Sequence, residues 1–240
     1  MRPALIVVDM QEDFCPPNGS LAVHEARSIA TTINTLLANP AFTIRVATLD
    51  YHPPNHISFA PNHPAPNNRP FESYVTMINP APGKQDEAKP QRLWPVHCVQ
   101  GTKGAEMIPE IDGSRIDLHV KKGLHPQVEM YSAFADAFGN FKATESEGGD
   151  ESVDIDLCTF LNDKNITDVF VTGVAGDYCV KFTAMDAARA GFKSYFVEDA
   201  TRCTVPGAEC LEATREELRA AGVSIVRSDG PEIAALAVER

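Results

Sequence analysis

The chain has 240 residues, 43% of them hydrophobic and 22% charged, with a formal net charge of -12. These values suit a globular protein that folds on its own core, and the acidic balance argues against nucleic acid or an anionic membrane as a partner. No signal peptide and no run of transmembrane length is read. The six cysteines are therefore expected as reduced thiols in a cytoplasmic protein, with the nucleus as the alternative and a homo-oligomer left open.

Ala4–Val8 is a compact apolar run closed by Asp9, the pattern of a strand buried on both faces. Ile29, Ile33, Leu36 and Leu37 recur at helical spacing and predict a helix over Glu25–Ala38. Thr43–Leu49 reads as a second strand, followed by Asp50. The stretch at about 51–95, rich in Pro, Asn and His, reads as a long irregular loop. Its aromatic residues Phe59, Phe71, Tyr74 and Trp94 argue against plain disorder. Arg115–Val120 is a third strand, and the acidic, glycine-containing stretch at about 142–153 reads as a mobile surface insertion. A helix over Asp154–Asp163, a strand over Asp168–Thr172 and a helix over Asp177–Arg189 follow, the last with Val180, Ala184 and Ala187 on one face. The chain continues with a strand at Lys193–Val197, a helix at Ala208–Ala221, a strand at Val223–Val226 and a short helix at Pro231–Val238. Alternating apolar strands and helices predict an α/β three-layer sandwich. It has a mainly parallel six-stranded sheet, helices on both faces, and one domain over residues 1–240.

Sites in such sheets lie beyond the C-terminal strand ends. Asp9, Asp50, Lys122 and Cys179 each follow a different predicted strand, so residues far apart in sequence could converge there. Cys179 falls where a buried strand turns into a helix, flanked by the small residues Gly173, Ala175 and Gly176. Free N–H groups and the positive dipole end favour a thiolate at that place, and small neighbours let a substrate approach. Asp9 could take the thiol proton as a general base or merely cap the turn after its strand. Lys122, before the turn-forming Gly123, could hold the charge balance or be a solvated lysine like its neighbour Lys121. Asp50 and His52 lie two apart, on one face of an extended chain, and His97 could complete a three-ligand metal set. His56 and His63 are expected at the surface, and Cys158, Cys203 and Cys210 as small buried hydrophobes.

Six stretches together carry a resemblance. They are Val7-Val-Asp-Met-Gln-Glu-Asp-Phe14, Asp50-Tyr-His-Pro-Pro-Asn-His-Ile-Ser-Phe-Ala60, Leu93-Trp-Pro-Val-His-Cys98, Lys122-Gly123, Tyr131-Ser-Ala-Phe134 and Gly173-Val-Ala-Gly-Asp-Tyr-Cys-Val180. In this order they make the chain similar to the nicotinamidases of the isochorismatase-like cysteine hydrolase family, and most like the fungal type. The resemblance implies a catalytic triad at Asp9, Lys122 and Cys179. It implies one divalent metal, Zn2+ by family habit with Mn2+ or Fe2+ as alternatives, on Asp50, His52 and His97. It implies a cis peptide before Ala175, an oxyanion hole from the N–H groups of Ala175 and Cys179, and a ring-binding wall of Phe14, Trp94 and Tyr131. The implied reaction is hydrolysis of nicotinamide to nicotinic acid and ammonia through a cysteine thioester, feeding NAD salvage. Another amidohydrolase of the same family, or a nicotinamide-binding protein without turnover, are the alternatives. Tyr51 stands where the family commonly has Trp, and the acidic stretch at 142–153 lies outside the family pattern.

Overall fold

The computed structural model describes residues 1–140, 152–205 and 208–236. Its strands are β1 (Pro3–Val8), β2 (Ile44–Asp50), β3 (Tyr74–Ile78), β4 (Ala88–Arg92), β5 (Leu118–Lys122), β6 (Asp168–Val174), β7 (Lys193–Arg202) and β8 (Ser224–Val226). Its α-helices are α1 (Ala30–Ala38), α2 (Leu157–Asp163), α3 (Cys179–Arg189), α4 (Ala208–Ala220) and α5 (Pro231–Ala235).

Six strands pair in the order β5-β2-β1-β6-β7-β8, and every pairing is parallel. Every residue of β1 and of β6 is buried, which is why Ala4–Val8 and Val169–Val171 read as apolar runs. Alternation along β1 sends Leu5 and Val7 to the face covered by α1, through Ile33, Leu36 and Leu37, and by Ile233 of α5. Ala4, Ile6 and Val8 go to the other face, under Leu157 and Leu161 of α2, Val180, Ala184 and Ala187 of α3, and Leu218 of α4. The result is the expected three-layer α/β sandwich.

Chain direction through the sheet reverses at β1 and β6: β2 and β5 extend one way, β7 and β8 the other. The gap beyond the C-terminal ends of the two central strands is where such sheets place their ligands. Gly173, at φ +113, brings β6 close enough to β1 that a Cβ there would sit 2.1 Å from the Val8 carbonyl oxygen. A glycine is thus required where the two site-bearing strands meet.

Several boundaries differ from the sequence reading. The Glu25–Ala38 helix begins as a 3-10 turn over Ala26–Ile29 before α1. The third strand shifts from Arg115–Val120 to Leu118–Lys122, because Gly113–Arg115 forms a turn and pairing with β2 runs on to Lys122. α2 starts at Leu157, since the Asp156 carboxylate caps it by accepting from the Thr159 N–H at 2.9 Å. β7 extends to Arg202, and α5 ends at Ala235.

The excursion at 51–95 is not plain loop. Its second half forms an antiparallel ribbon, β3 with β4, registered Tyr74 to Arg92 and Ile78 to Ala88. Pro90 hid β4, because proline reads as a strand breaker although an exposed edge tolerates it. Of the acidic insertion, residues 141–151 lie outside the described residues. Ser152 and Val153 are buried instead of surface-mobile, and Val153 bridges to Lys122.

Candidate active site

β1 ends at Val8, and Asp9 leaves the sheet at φ +49, a left-handed conformation that Asp tolerates better than most residues. Its carboxylate is wholly buried. Oδ1 accepts from the Thr48 hydroxyl at 2.6 Å, and Oδ2 lies 2.9 Å from Nζ of Lys122. That ion pair is close but poorly aligned as a hydrogen bond, and Oδ2 has no other polar partner, so it is free to accept one. Lys122, the last residue of β5, is also fully buried. Its ammonium pairs with Asp50 Oδ1, donates to the Met130 carbonyl at 3.3 Å and stands 3.5 Å from Sγ of Cys179. Lys121 points the other way and lies over the Tyr51 ring.

Cys179 is the first residue of α3. The Val174–Ala175 peptide bond is cis. In the turn between, the N–H groups of Gly176, Tyr178 and Val180 are spent on the carbonyls of Arg202 and Ala175. Ala175 and Cys179, whose N–H groups stand outside that set, both line a hollow in front of the sheet. The Asp177 carboxylate latches this turn to the end of β7 by accepting from the Thr204 N–H (2.8 Å) and hydroxyl (2.5 Å).

Electrostatics place the proton on the thiol and the negative charge on the carboxylate. Burial pushes the Asp9 pKa up to about 6, against the pull of Lys122. Burial also raises the Cys179 thiol well above its usual range, with Lys122 opposing and the carboxylates of Asp9 and Asp50 adding to the rise. The ammonium of Lys122 is held charged: burial opposes it, but Asp50 and Asp9 together outweigh that cost. The resting pair is a neutral thiol facing a carboxylate, with an ammonium beside both.

Asp50, His52 and His97 converge on the far side of Lys122, their ligand atoms within 4.8 Å of one another. The two oxygens of Asp50 divide their work: Oδ1 faces Lys122, while Oδ2 lies 3.5 Å from His52 Nε2 and 3.9 Å from His97 Nε2. Each imidazole is oriented from behind, His52 Nδ1 by the Gly123 carbonyl and His97 Nδ1 by the Pro95 carbonyl, both at 2.8 Å. Protonating Nδ1 leaves Nε2 as a free lone pair, and Nε2 of His52 is buried with no hydrogen-bond partner. Such an orphaned donor atom, next to a second imidazole and a carboxylate oxygen, fits a divalent metal. Burial also lowers the His97 pKa to about 4, which keeps its lone pair available. Burial raises and the neighbouring positive groups lower Asp50, and the second effect wins: its carboxyl lies far below the usual range. Gly123 is needed here twice over. It adopts φ +69, and a Cβ on it would sit 2.3 Å from Cε1 of His52.

Two expectations for histidine and cysteine fail. His56 is buried, not at the surface: its ring stacks on His52 at 4.1 Å, and its nitrogens meet Ser58 Oγ (2.8 Å) and the Val128 carbonyl (3.2 Å). Both nitrogens are thereby occupied, so His56 packs against the candidate ligand His52 with no ring nitrogen left for a metal. His63 is half-buried, with Nε2 2.6 Å from the Ile57 carbonyl. Cys158, in the first turn of α2, and Cys203, just after β7, are half-buried as well. The side chain of Cys210 lies outside the described residues.

The hollow is lined by Phe14, Trp94, Tyr131, Ala175 and Cys179, with Asp50 and His97 at its floor. Of the residues expected to act, Asp9, Lys122 and His52 do not line the hollow; Lys122 ties Asp9 to Cys179 and Asp50, and His52 faces Asp50. The hollow is tight, about 30 Å3, and a larger concavity of about 470 Å3 behind Tyr131 contains none of these reactive groups. Sequence reasoning missed Glu129, Tyr178, Thr204, Leu21 and Val23, which also line the hollow. It also missed Gln11, whose buried amide accepts from the Asp50 N–H and donates to the Asp50 carbonyl, both at 2.8 Å. Tyr178 and Gln11 could have been found from their places beside Cys179 and Asp9; Glu129 and Thr204 carry no sequence signal.

A doubly wound parallel sheet that gathers a thiol, a carboxylate and an ammonium at its reversal point places the chain among the α/β folds whose sites lie at such a switch point. The chain belongs to the isochorismatase family: residues 3–229 match the isochorismatase domain. The nicotinamidase of Acinetobacter baylyi is 38% identical over 225 residues, covering 94% of this chain and 92% of its own. The nicotinamidase of Saccharomyces cerevisiae is 37% identical over 227 residues, covering 92% and 98%. Among solved structures, the yeast nicotinamidase superimposes with a TM-score of 0.81 at 34% identity, covering 93% of this chain and 99% of its own. The Pyrococcus horikoshii pyrazinamidase, solved in complex with zinc, gives 0.67 at 32% identity, covering 95% and 99%.

Proposed function

We propose that this chain is a nicotinamidase, hydrolysing nicotinamide to nicotinic acid and ammonia through a thioester on Cys179. The observation that carries the reading is the single buried point at which Lys122 Nζ lies 2.9 Å from the Asp9 carboxylate and 3.5 Å from the Cys179 sulfur, next to the convergent Asp50, His52 and His97.

Phe14, Trp94 and Tyr131 flank the aromatic ring and exclude water. A divalent ion on Asp50, His52 and His97, zinc by the donor set with manganese or iron as alternatives, would supply a Lewis-acid anchor for the pyridine nitrogen. Asp9 takes the proton from Cys179 through its unpartnered Oδ2 while Sγ attacks the carboxamide carbon. The oxyanion rests on the N–H groups of Ala175 and Cys179; losing one such donor typically costs about a hundredfold or more. Asp9 then hands its proton to the amide nitrogen, the C–N bond breaks, and ammonia leaves. A water next attacks the thioester carbon, gives its proton to Asp9, and the C–S bond breaks; Asp9 returns the proton to sulfur and nicotinic acid departs. Throughout, Lys122 offsets whichever of Asp9 and Cys179 carries the negative charge. The product feeds NAD salvage, and a cytoplasmic setting keeps the nucleophile reduced. No helix among the described residues is long and apolar enough to cross a membrane.

An ammonia-release assay on nicotinamide and a small panel of aromatic amides, with and without chelator, tests this. Turnover of nicotinamide that chelator abolishes is expected. Failure on nicotinamide with success on another amide would overturn the substrate, and binding without turnover would overturn the enzyme.

A further inference from the structure

The ribbon of β3 and β4 stands apart from the main sheet, yet it delivers one buried polar side chain to the back of Tyr131, a residue of the hollow's wall. Gln91, paired with Val75 across the ribbon, is 3% exposed. Its amide Nε2 donates to the Tyr131 hydroxyl at 2.7 Å and to the Arg92 carbonyl at 2.6 Å, so both of its N–H protons are committed. Trp94 Nε1 also donates to the Tyr131 hydroxyl, at 3.0 Å. An indole N–H can only donate, and a phenol oxygen has two acceptor positions. With both positions filled, the remaining valence of the Tyr131 oxygen is its own O–H, and no hydrogen bond from it forms among the described residues.

Tyr131 lines the hollow together with Trp94 and Cys179. Tyr131 and Gln91 also border the roomier concavity behind, so the phenol is held by these two hydrogen bonds and by its stack on Phe182 (5.6 Å, 17°) rather than by close packing on that side. Burial first, and then Glu129, raise the Tyr131 pKa well above its usual value, so the hydroxyl keeps its proton in any working buffer. We propose that Gln91 is a positioning residue: with the Trp94 indole it fills the acceptor positions of the Tyr131 hydroxyl and fixes it as a one-way hydrogen-bond donor to the carboxamide oxygen of the ligand in the hollow. This rests on the reading that the hollow takes a pyridine carboxamide. Tyr131 then adds a donor to that oxygen beside the N–H groups of Ala175 and Cys179, beyond supplying an aromatic wall.

The test uses metal-loaded full-length enzyme and four variants: Gln91→Leu, Gln91→Glu, Tyr131→Phe and the double variant Gln91→Glu/Tyr131→Phe. KM and kcat come from ammonia release on nicotinamide. Kd for nicotinamide comes from fluorescence titration of Trp94, the single tryptophan of the chain. Losing a neutral donor to the ligand is expected to raise KM and Kd about 3- to 10-fold in Tyr131→Phe, with the loss falling on KM rather than kcat. Gln91→Glu is expected to be at least as damaging as Gln91→Leu although it keeps the shape, because a carboxylate accepts the hydroxyl proton and turns the donor away. Added to Tyr131→Phe, it should cost nothing more. A wild-type Kd in Tyr131→Phe, or additive losses in the double variant, overturns the proposal; the phenylalanine variant decides alone if the Gln91 variants do not fold. If the wild type binds nicotinamide without releasing ammonia, the functional reading fails while the Kd series still decides this one. If it does not bind nicotinamide, both fall.

Discussion

Replacing Lys122 by Met keeps the length and bulk of the side chain and removes its charge from a fully buried site. At 2.9 Å, with an effective dielectric of about 20, the attraction to Asp9 alone is about 6 kcal/mol. Part of that is offset by no longer having to desolvate an ammonium. What remains is a pair of buried carboxylates, Asp9 and Asp50, facing each other without their cation. Breaking a buried pair in this way costs about 3–5 kcal/mol, roughly 10 °C in Tm for a chain of this size. Urea unfolding of Lys122→Met at neutral pH should show that loss. Adding Asp9→Asn to it should return more than about 1 kcal/mol, because one uncompensated charge goes with it. A single variant that loses less than about 1 kcal/mol, or a double variant less stable than the single, would refute the view that Lys122 is there to neutralise the two acids.

Cys179→Ala should fold normally and lose at least about 10^4-fold in ammonia release, whereas hydroxylamine should trap an acyl group on the wild type alone. Gly123→Ala should destabilise by about 1–3 kcal/mol and lower bound metal by elemental analysis, because the new Cβ collides with the His52 ring at a φ of +69. His52→Ala should leave metal well below one ion per chain even after loading. The base must be ionised to work, so kcat/KM should fall below pH about 6, the raised pKa of Asp9. A carboxyl raised from 3.8 to about 6 in the folded state stabilises the protein below pH 4, and that contribution, about 3 kcal/mol, is lost as pH rises through 6. Asp9→Asn should therefore gain stability over the wild type between pH 4 and 7, and an unchanged difference across that range would contradict the burial argument.

The strand β1 and the Val169–Val171 centre of β6 were readable because a strand buried on both faces leaves an apolar run. The strand-end acids Asp9 and Asp50 were readable because a charged residue closing such a run falls where parallel sheets open. Other features arise from tertiary contact and leave no local trace. His56 looks solvated in a stretch rich in Pro and Asn, yet its burial comes from Val128, 72 residues later. β4 looks broken at Pro90, yet that residue is exposed on a two-stranded ribbon, where an edge strand tolerates proline. Glu129 and Thr204 reach the hollow from segments with no distinctive spacing, and the limits of α2 and β5 turn on capping and pairing that periodicity does not report.

The reactive groups come from β1, β2, β5 and the β6–α3 turn, whose neighbours in space are joined by contacts as distant as Arg2 with Thr167, 165 residues apart. No fragment and no half-assembled intermediate can therefore own the chemistry. During refolding, catalytic activity should be the last signal to return, later than helical dichroism, making turnover a gauge of completed long-range pairing.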